Sequence, residues 1–131
     1  MAEMTLREIV EKDLEKNYKG RGFSLEDAAA SFKERVDQGE KPFRAGNTIF
    51  MTKDLGDGGV EWHTINPEPS EQLVRNATAY FLRLRENKYK YATTYYDNPK
   101  INELLKKTIF PVEIERVNDG EDRTYRSVVR L

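Results

Sequence analysis

No cysteine occurs in the 131 residues. That excludes disulfides, thiolate nucleophiles and cysteine-built zinc sites, and it fits a cytoplasmic setting. Net charge is just as scarce. The 22 basic and 23 acidic residues nearly cancel and are interspersed, which removes the bulk electrostatic case for nucleic acid or an anionic membrane. Nor does any apolar run reach membrane-spanning length, and the N-terminus has no apolar signal-peptide core. Repeats, linkers and low-complexity tracts are absent too, so residues 1–131 are expected to form one domain.

What is present is a soluble, heavily charged chain, 34% charged and 37% hydrophobic. A chain of this length can bury about two-thirds of its unfolded surface. Leu6, Ile9, Val10, Leu14 and Tyr18 have helical spacing. Thr5 and Glu8 can form a capping box and Gly20 can stop the helix, with a short strand over 4–7 as the competing reading. Ser24 can cap a second helix whose buried stripe is Leu25, Ala28, Ala29, Phe32 and Val36, ending at Gly39. The period then changes to two. Extended segments over 42–44, 48–53 and 60–65, joined by Gly46-Asn47 and a glycine-rich loop from Asp54 to Gly59, make a three-strand meander.

Pro67 and Pro69 end that meander and place a helix start near Ser70, with an apolar face from Leu73 to Leu84 running to Glu86. A tyrosine-rich strand over 89–96 follows. Asn98 can cap a short helix with Pro99 at its first position. Two strands, 110–117 and 123–131, close the chain around Asn118-Asp119-Gly120-Glu121. The order predicts an α/β (α+β) fold, a mixed sheet covered by helices on its faces.

Few residues offer chemistry. His63 is the only histidine, and an imidazole titrating near neutrality can serve as a general base. Asp54, Asp57 and Glu61 surround three glycines, but not at the spacing of a calcium loop, so no metal is expected. Tyr89, Tyr91, Tyr95 and Tyr96 interleave with Lys88 and Lys90. Such a pattern can stack bases, but packing of one face on the core is favoured over nucleic-acid binding. With Trp62, these tyrosines are also the residues expected at a protein interface.

One segment carries more information. Asn98, Ile101, Leu104, Lys107 and Phe110 stand in the register Asn-x-x-apolar-x-x-apolar-Tyr-x-Lys-x-Gly-Phe, which resembles the last helix of GNAT-type N-acetyltransferases. Leu105 replaces the family's tyrosine and Ile109 its glycine. The resemblance implies a GNAT-like mixed, mostly antiparallel sheet with helices on both faces. In that family acetyl-CoA is held by a turn of the form Arg/Gln-x-x-Gly-x-Gly/Ala. The matching stretch here, Ile65 to Gln72, has no glycine, two prolines without N–H groups, and the carboxylates Glu68 and Glu71.

These departures imply a GNAT-like domain without a cofactor that acts through a protein partner or self-assembly. Degraded domains of this kind occur among tailed-phage products, so the host cytoplasm or a virion is the implied location. The alternative is an acetyl-CoA-dependent N-acetyltransferase with an atypical turn. The resemblance would then make Glu61 or His63 the base and assign Asn66, Ser70 and Asn98 to the cofactor.

Overall fold

Two reciprocal capping boxes open the fold. Thr5 Oγ1 accepts the Glu8 N–H and Glu8 Oε1 accepts the Thr5 N–H, both at 3.2 Å, which starts α1 (Leu6–Asn17). Ser24 and Asp27 repeat the exchange at 3.1 Å and start α2 (Leu25–Asp37). With its N-terminal amides satisfied in this way, the segment at 4–7 is not a strand. The computed structural model describes residues 3–18, 22, 24–117 and 124–131. The expected stop at Gly20 and the turn at 118–121 lie outside the described residues.

The chain continues as β1 (Lys41–Ala45), β2 (Thr48–Asp54), β3 (Gly59–Ile65), α3 (Ser70–Glu86), β4 (Tyr91–Tyr96), α4 (Lys100–Lys106), β5 (Val112–Arg116) and β6 (Tyr125–Arg130). The strands form one sheet in the order β1-β2-β3-β4-β6-β5. Every neighbouring pair is antiparallel except β3 and β4. The long crossover between these two is α3, as a parallel pair requires.

Period-two alternation sorts the core onto the two faces of the sheet. Phe50, Val60, Trp62, Ala92 and Val129 pack against Tyr80, Phe81 and Leu84 of α3 and against Leu105 and Phe110. Their neighbours Ile49, Met51 and Ile65 pack on the opposite face with Ile9 and Phe32. At the centre the Phe50 and Tyr80 rings stack at 4.2 Å. The Tyr80 hydroxyl lies 2.5 Å from Thr52 Oγ1, and burial pushes its pKa upward. Each fully buried ring contributes about 1.5–3 kcal/mol.

Three local expectations need correction. The stripe assigned to α2 is not buried: no residue of that helix is fully covered and Val36 is 39% exposed. The helix packs chiefly on α1, and it reaches the core through Phe32. The tyrosine strand begins at Tyr91, because Lys88 turns at φ 70° and the Tyr89 N–H still closes α3 by donating to Leu84 O at 3.1 Å. Asn98 does take an orphan helix amide, accepting the Lys100 N–H at 3.0 Å, but Pro99 is the residue at the cap position. Among the described residues no helix is long and apolar enough to cross a membrane.

Candidate functional site

Strands β3 and β4 pair at Gly59↔Tyr91, Val60↔Ala92 and Glu61↔Thr93, and then part. Beyond that point Trp62–Ile65 keeps its ladder with β2, and Thr94–Tyr96 keeps its own with β6. The two strands therefore splay, and the sheet is split between their C-terminal halves. The split holds a cavity of about 530 Å³, a size suited to a small-molecule ligand. One wall is apolar, built by Leu73, Val74 and Ala77 of α3 and Ile101, Leu104 and Leu105 of α4. The opposite wall comes from α1 and α2 and carries Asp13, Tyr18, Asp27, Phe32 and Arg35.

Close contact where the strands still pair depends on Gly59. The Tyr91 ring crosses it so closely that a Cβ there would stand 2.0 Å from Tyr91 Cζ. The Tyr91 hydroxyl then donates to Asp57 Oδ2 at 2.6 Å, and Tyr89 donates to Asp54 Oδ2 at 2.9 Å. The Asp57 carboxyl is lowered chiefly by Tyr91, and the Asp54 carboxyl by the Gly56 amide and then by Tyr89. These tyrosines brace the β2–β3 loop. No group of three or more metal-type side chains occurs among the described residues.

His63 enters the cavity wall from β3. It stands opposite Met51 in the register and so points to the α1/α2 face. Its Nε2 is 3.6 Å from Glu61 Oε2, the separation that two residues on one strand face allow. Glu61 lies at the last paired position, outside the cavity wall. Trp62 points the other way. At 6% exposed and edge-on to Phe81 at 5.5 Å, it is a core residue rather than an interface residue, because alternation turns it toward α3. Tyr95 and Tyr96 both line the split. The Tyr96 hydroxyl donates to Asn102 Oδ1 at 2.6 Å, and burial pushes its pKa up. The five aromatic residues expected at one interface are thus distributed among core, loop and cavity.

The turn from β3 into α3 is held by a polar network. Asp13 Oδ1 accepts the Asn66 N–H at 3.0 Å and Asn17 Nδ2 at 2.7 Å. Asn66 Oδ1 accepts Thr48 Oγ1 at 2.8 Å and the Glu68 N–H at 3.1 Å, while Asn66 Nδ2 donates to Glu68 O at 3.0 Å. Thr48 Oγ1 in turn accepts Asn76 Nδ2 at 2.9 Å, and Lys16 Nζ donates to Glu68 O. Asn66, expected beside a cofactor, therefore has its side chain committed to the turn. Ser70 begins α3, where Pro69 provides no side-chain cap. The first amide to find a backbone acceptor is Leu73, which donates to Pro69 O at 2.9 Å. The N–H groups of Ser70, Glu71 and Gln72 have no acceptor among the described residues. Asn98 is exposed and outside the cavity wall.

Sequence reasoning passed over Asp13, Thr48 and Asn76, which are all buried. One signal for Asp13 was available. It falls four residues after Ile9 and three after Val10, on the apolar stripe of α1. Burial pushes its carboxyl upward, against the lowering effect of the Asn17 and Asn66 hydrogen bonds.

No protein-family model and no curated protein sequence matches the chain. Among solved structures, it is similar to an acetyltransferase of Bacillus subtilis determined in complex with CoA. The two share 16% identity at a TM-score of 0.55, over 99% of this chain and 95% of that one. The fold is GNAT-like, as the spacing from Asn98 to Phe110 implied. The neighbour speaks for the architecture and lends no support to a degenerate domain or a virion role. It also overturns the expectation that this fold carries no cofactor. That expectation rested on the missing glycines, whereas free amides remain at the start of α3 without them.

Proposed function

We propose that the protein binds acetyl-CoA in the split between β3 and β4 and transfers the acetyl group to an amine. The observation that carries this reading is the parallel ladder ending at Glu61↔Thr93, with a cavity opening beyond it. The residues present fit a CoA thioester. Ser70, Glu71 and Gln72 offer N–H groups at the positive end of a 17-residue helix, an arrangement suited to a diphosphate. The apolar α3/α4 wall suits the flexible arm that follows it. The backbone edges of Trp62–Ile65 and Thr94–Tyr96, which do not pair with each other, can hydrogen-bond its amides. Acetyl-CoA, when bound, would supply a thioester whose acyl carbon is open to attack.

The chain's own groups then divide the work. The α1/α2 wall admits the amine on the face that His63 occupies. The His63 imidazole accepts the amine proton as the C–N bond forms, and the Glu61 carboxylate 3.6 Å away stabilises the resulting imidazolium. The C–S bond breaks and its electron pair leaves on sulfur. Leu105 cannot donate a proton to that sulfur, and it need not. A thiol pKa of about 8.5 makes the thiolate a competent leaving group near neutral pH.

Isothermal titration with acetyl-CoA and with free CoA tests this reading. Micromolar binding followed by acetylation of an added amine is expected. An absence of heat at millimolar ligand would end it, and would return attention to a non-catalytic domain acting through a protein partner.

A further inference from the structure

Among the described residues, the buried side-chain atoms without a hydrogen-bond partner are Glu40 Oε1, Trp62 Nε1, Arg126 Nε and Ser127 Oγ. Of these residues, Trp62 is the one that lines the cavity in the split. An indole nitrogen only donates. A buried tryptophan N–H ordinarily has an acceptor, because losing its water without one costs free energy. The rings of Phe50, Tyr80 and Phe81 hold the side chain at 6.0, 6.2 and 5.5 Å. None of them offers a free oxygen. The Tyr80 hydroxyl is engaged with Thr52 Oγ1, and a ring face is a weaker acceptor than an oxygen. The cavity wall on this side is aliphatic, built by Leu73, Val74 and Ala77 of α3 and Ile101, Leu104 and Leu105 of α4. The acceptor that Trp62 lacks is therefore one that a guest brings.

Trp62 is the first residue of β3 after the last β3–β4 pair, Glu61↔Thr93, so it stands where the two strands begin to part. Its side chain packs on the α3 side of the sheet, with Thr52 as its register partner on β2. On β4 the residue after the last pair is Thr94, which also lines the cavity. We propose that the Trp62 indole N–H donates to a carbonyl oxygen of the acyl-CoA arm that enters the split. This rests on the acetyl-transfer reading above for the identity of the guest. The arm has carbonyl oxygens of two kinds, those of its amides and that of the thioester, and either is an acceptor that the indole lacks in the free chain. The N–H is closed to solvent, so a bound oxygen satisfies it without displacing a water. Trp62 thereby holds the arm from the α3 side, while His63, one residue on, faces the amine from the other.

The chain has one tryptophan, so its indole N–H gives a single signal in a nitrogen–proton correlation spectrum. Acetyl-CoA is expected to move that proton downfield, as a new hydrogen bond does. Trp62→Phe keeps an aromatic ring in the core and removes the donor. By calorimetry this variant is expected to bind acetyl-CoA about three- to tenfold more weakly, the worth of one neutral hydrogen bond. Free CoA separates the two kinds of oxygen. An equal loss with both ligands assigns the bond to an amide of the arm, and a loss confined to acetyl-CoA assigns it to the thioester. An indole signal unmoved at saturating acetyl-CoA would overturn the proposal, as would a Trp62→Phe chain that binds as tightly as wild type. In either case the ligand has bound and the transfer reading stands. If neither ligand binds the wild-type chain, both readings fail.

Discussion

Asp13 Oδ1 accepts the Asn66 backbone N–H at 3.0 Å across 53 positions of sequence. This one bond ties the first helix to the point where β3 leaves the sheet, and so joins the α1/α2 wall to the turn that begins α3. The same oxygen holds Asn17 Nδ2 at 2.7 Å, and Asn17 Nδ2 also reaches Asn66 O at 3.1 Å. A turn without glycine is kept in shape by side chains instead.

That arrangement has a pH signature. Burial raises the Asp13 pKa, so the folded chain holds this proton more tightly than the unfolded chain. The contribution to stability is complete below the unfolded carboxyl pKa and is lost as pH rises through the folded value. Near neutral pH the ionised group is a cost. Asp13→Asn should therefore unfold at a higher temperature than wild type at about pH 7, with the gap closing toward about pH 4. Thermal unfolding across that range checks the sign.

If His63 receives the amine proton, His63→Ala should slow acetyl transfer by about 10²–10⁴-fold. CoA affinity should not change, since the imidazole points to the α1/α2 face. Glu61→Gln should cost less, because Glu61 acts on the imidazole from outside the cavity wall. Steady-state kinetics alongside CoA titration separates the two effects.

Glu71 sits in the first turn of α3, where a carboxylate favours the helix and opposes a diphosphate. Glu71→Gln should tighten CoA about two- to five-fold, the size of one screened like-charge contact at 5–10 Å. The same change should lower stability by about 0.3–1 kcal/mol. Calorimetry and chemical denaturation on one pair of proteins would show the opposed signs.

Gly46 turns at φ 59°, and a Cβ there would stand 2.6 Å from Asn76 Oδ1. Gly46→Ala combines a left-handed backbone with displacement of the side chain that holds Thr48 at 2.9 Å. A loss of more than about 1 kcal/mol is expected in urea denaturation. Unchanged stability would mean that the Asn76–Thr48–Asn66 link contributes little.

How the sequence relates to the structure follows from the range of each interaction. The capping box at Thr5, the cap at Ser24, the change of period after Gly39, the break at Pro67 and Pro69, and the helix start at Ser70 depend on residues a few positions apart. They were legible before any contact was known. The register from Asn98 to Phe110 pointed to the GNAT-like fold for the same reason, since its pattern falls within a short helix, α4, and the residues that flank it. Alternation also placed Glu61 and His63 on one strand face.

What alternation could not show is which face has a cavity behind it. That depends on where the β3–β4 ladder stops, and on α1 and α2 arriving over the split, both of them consequences of pairing between distant segments. For that reason Trp62 read as an interface residue and is core, and the α2 stripe read as buried and is half open. Asp13 read as an ordinary helical carboxylate until the fold buried it and set it against the Asn66 amide. Sequence alone determined the elements and their order, because helix caps and strand periods are local. Only the tertiary structure decided which side chains share the split, because burial and splay arise when remote strands meet or part.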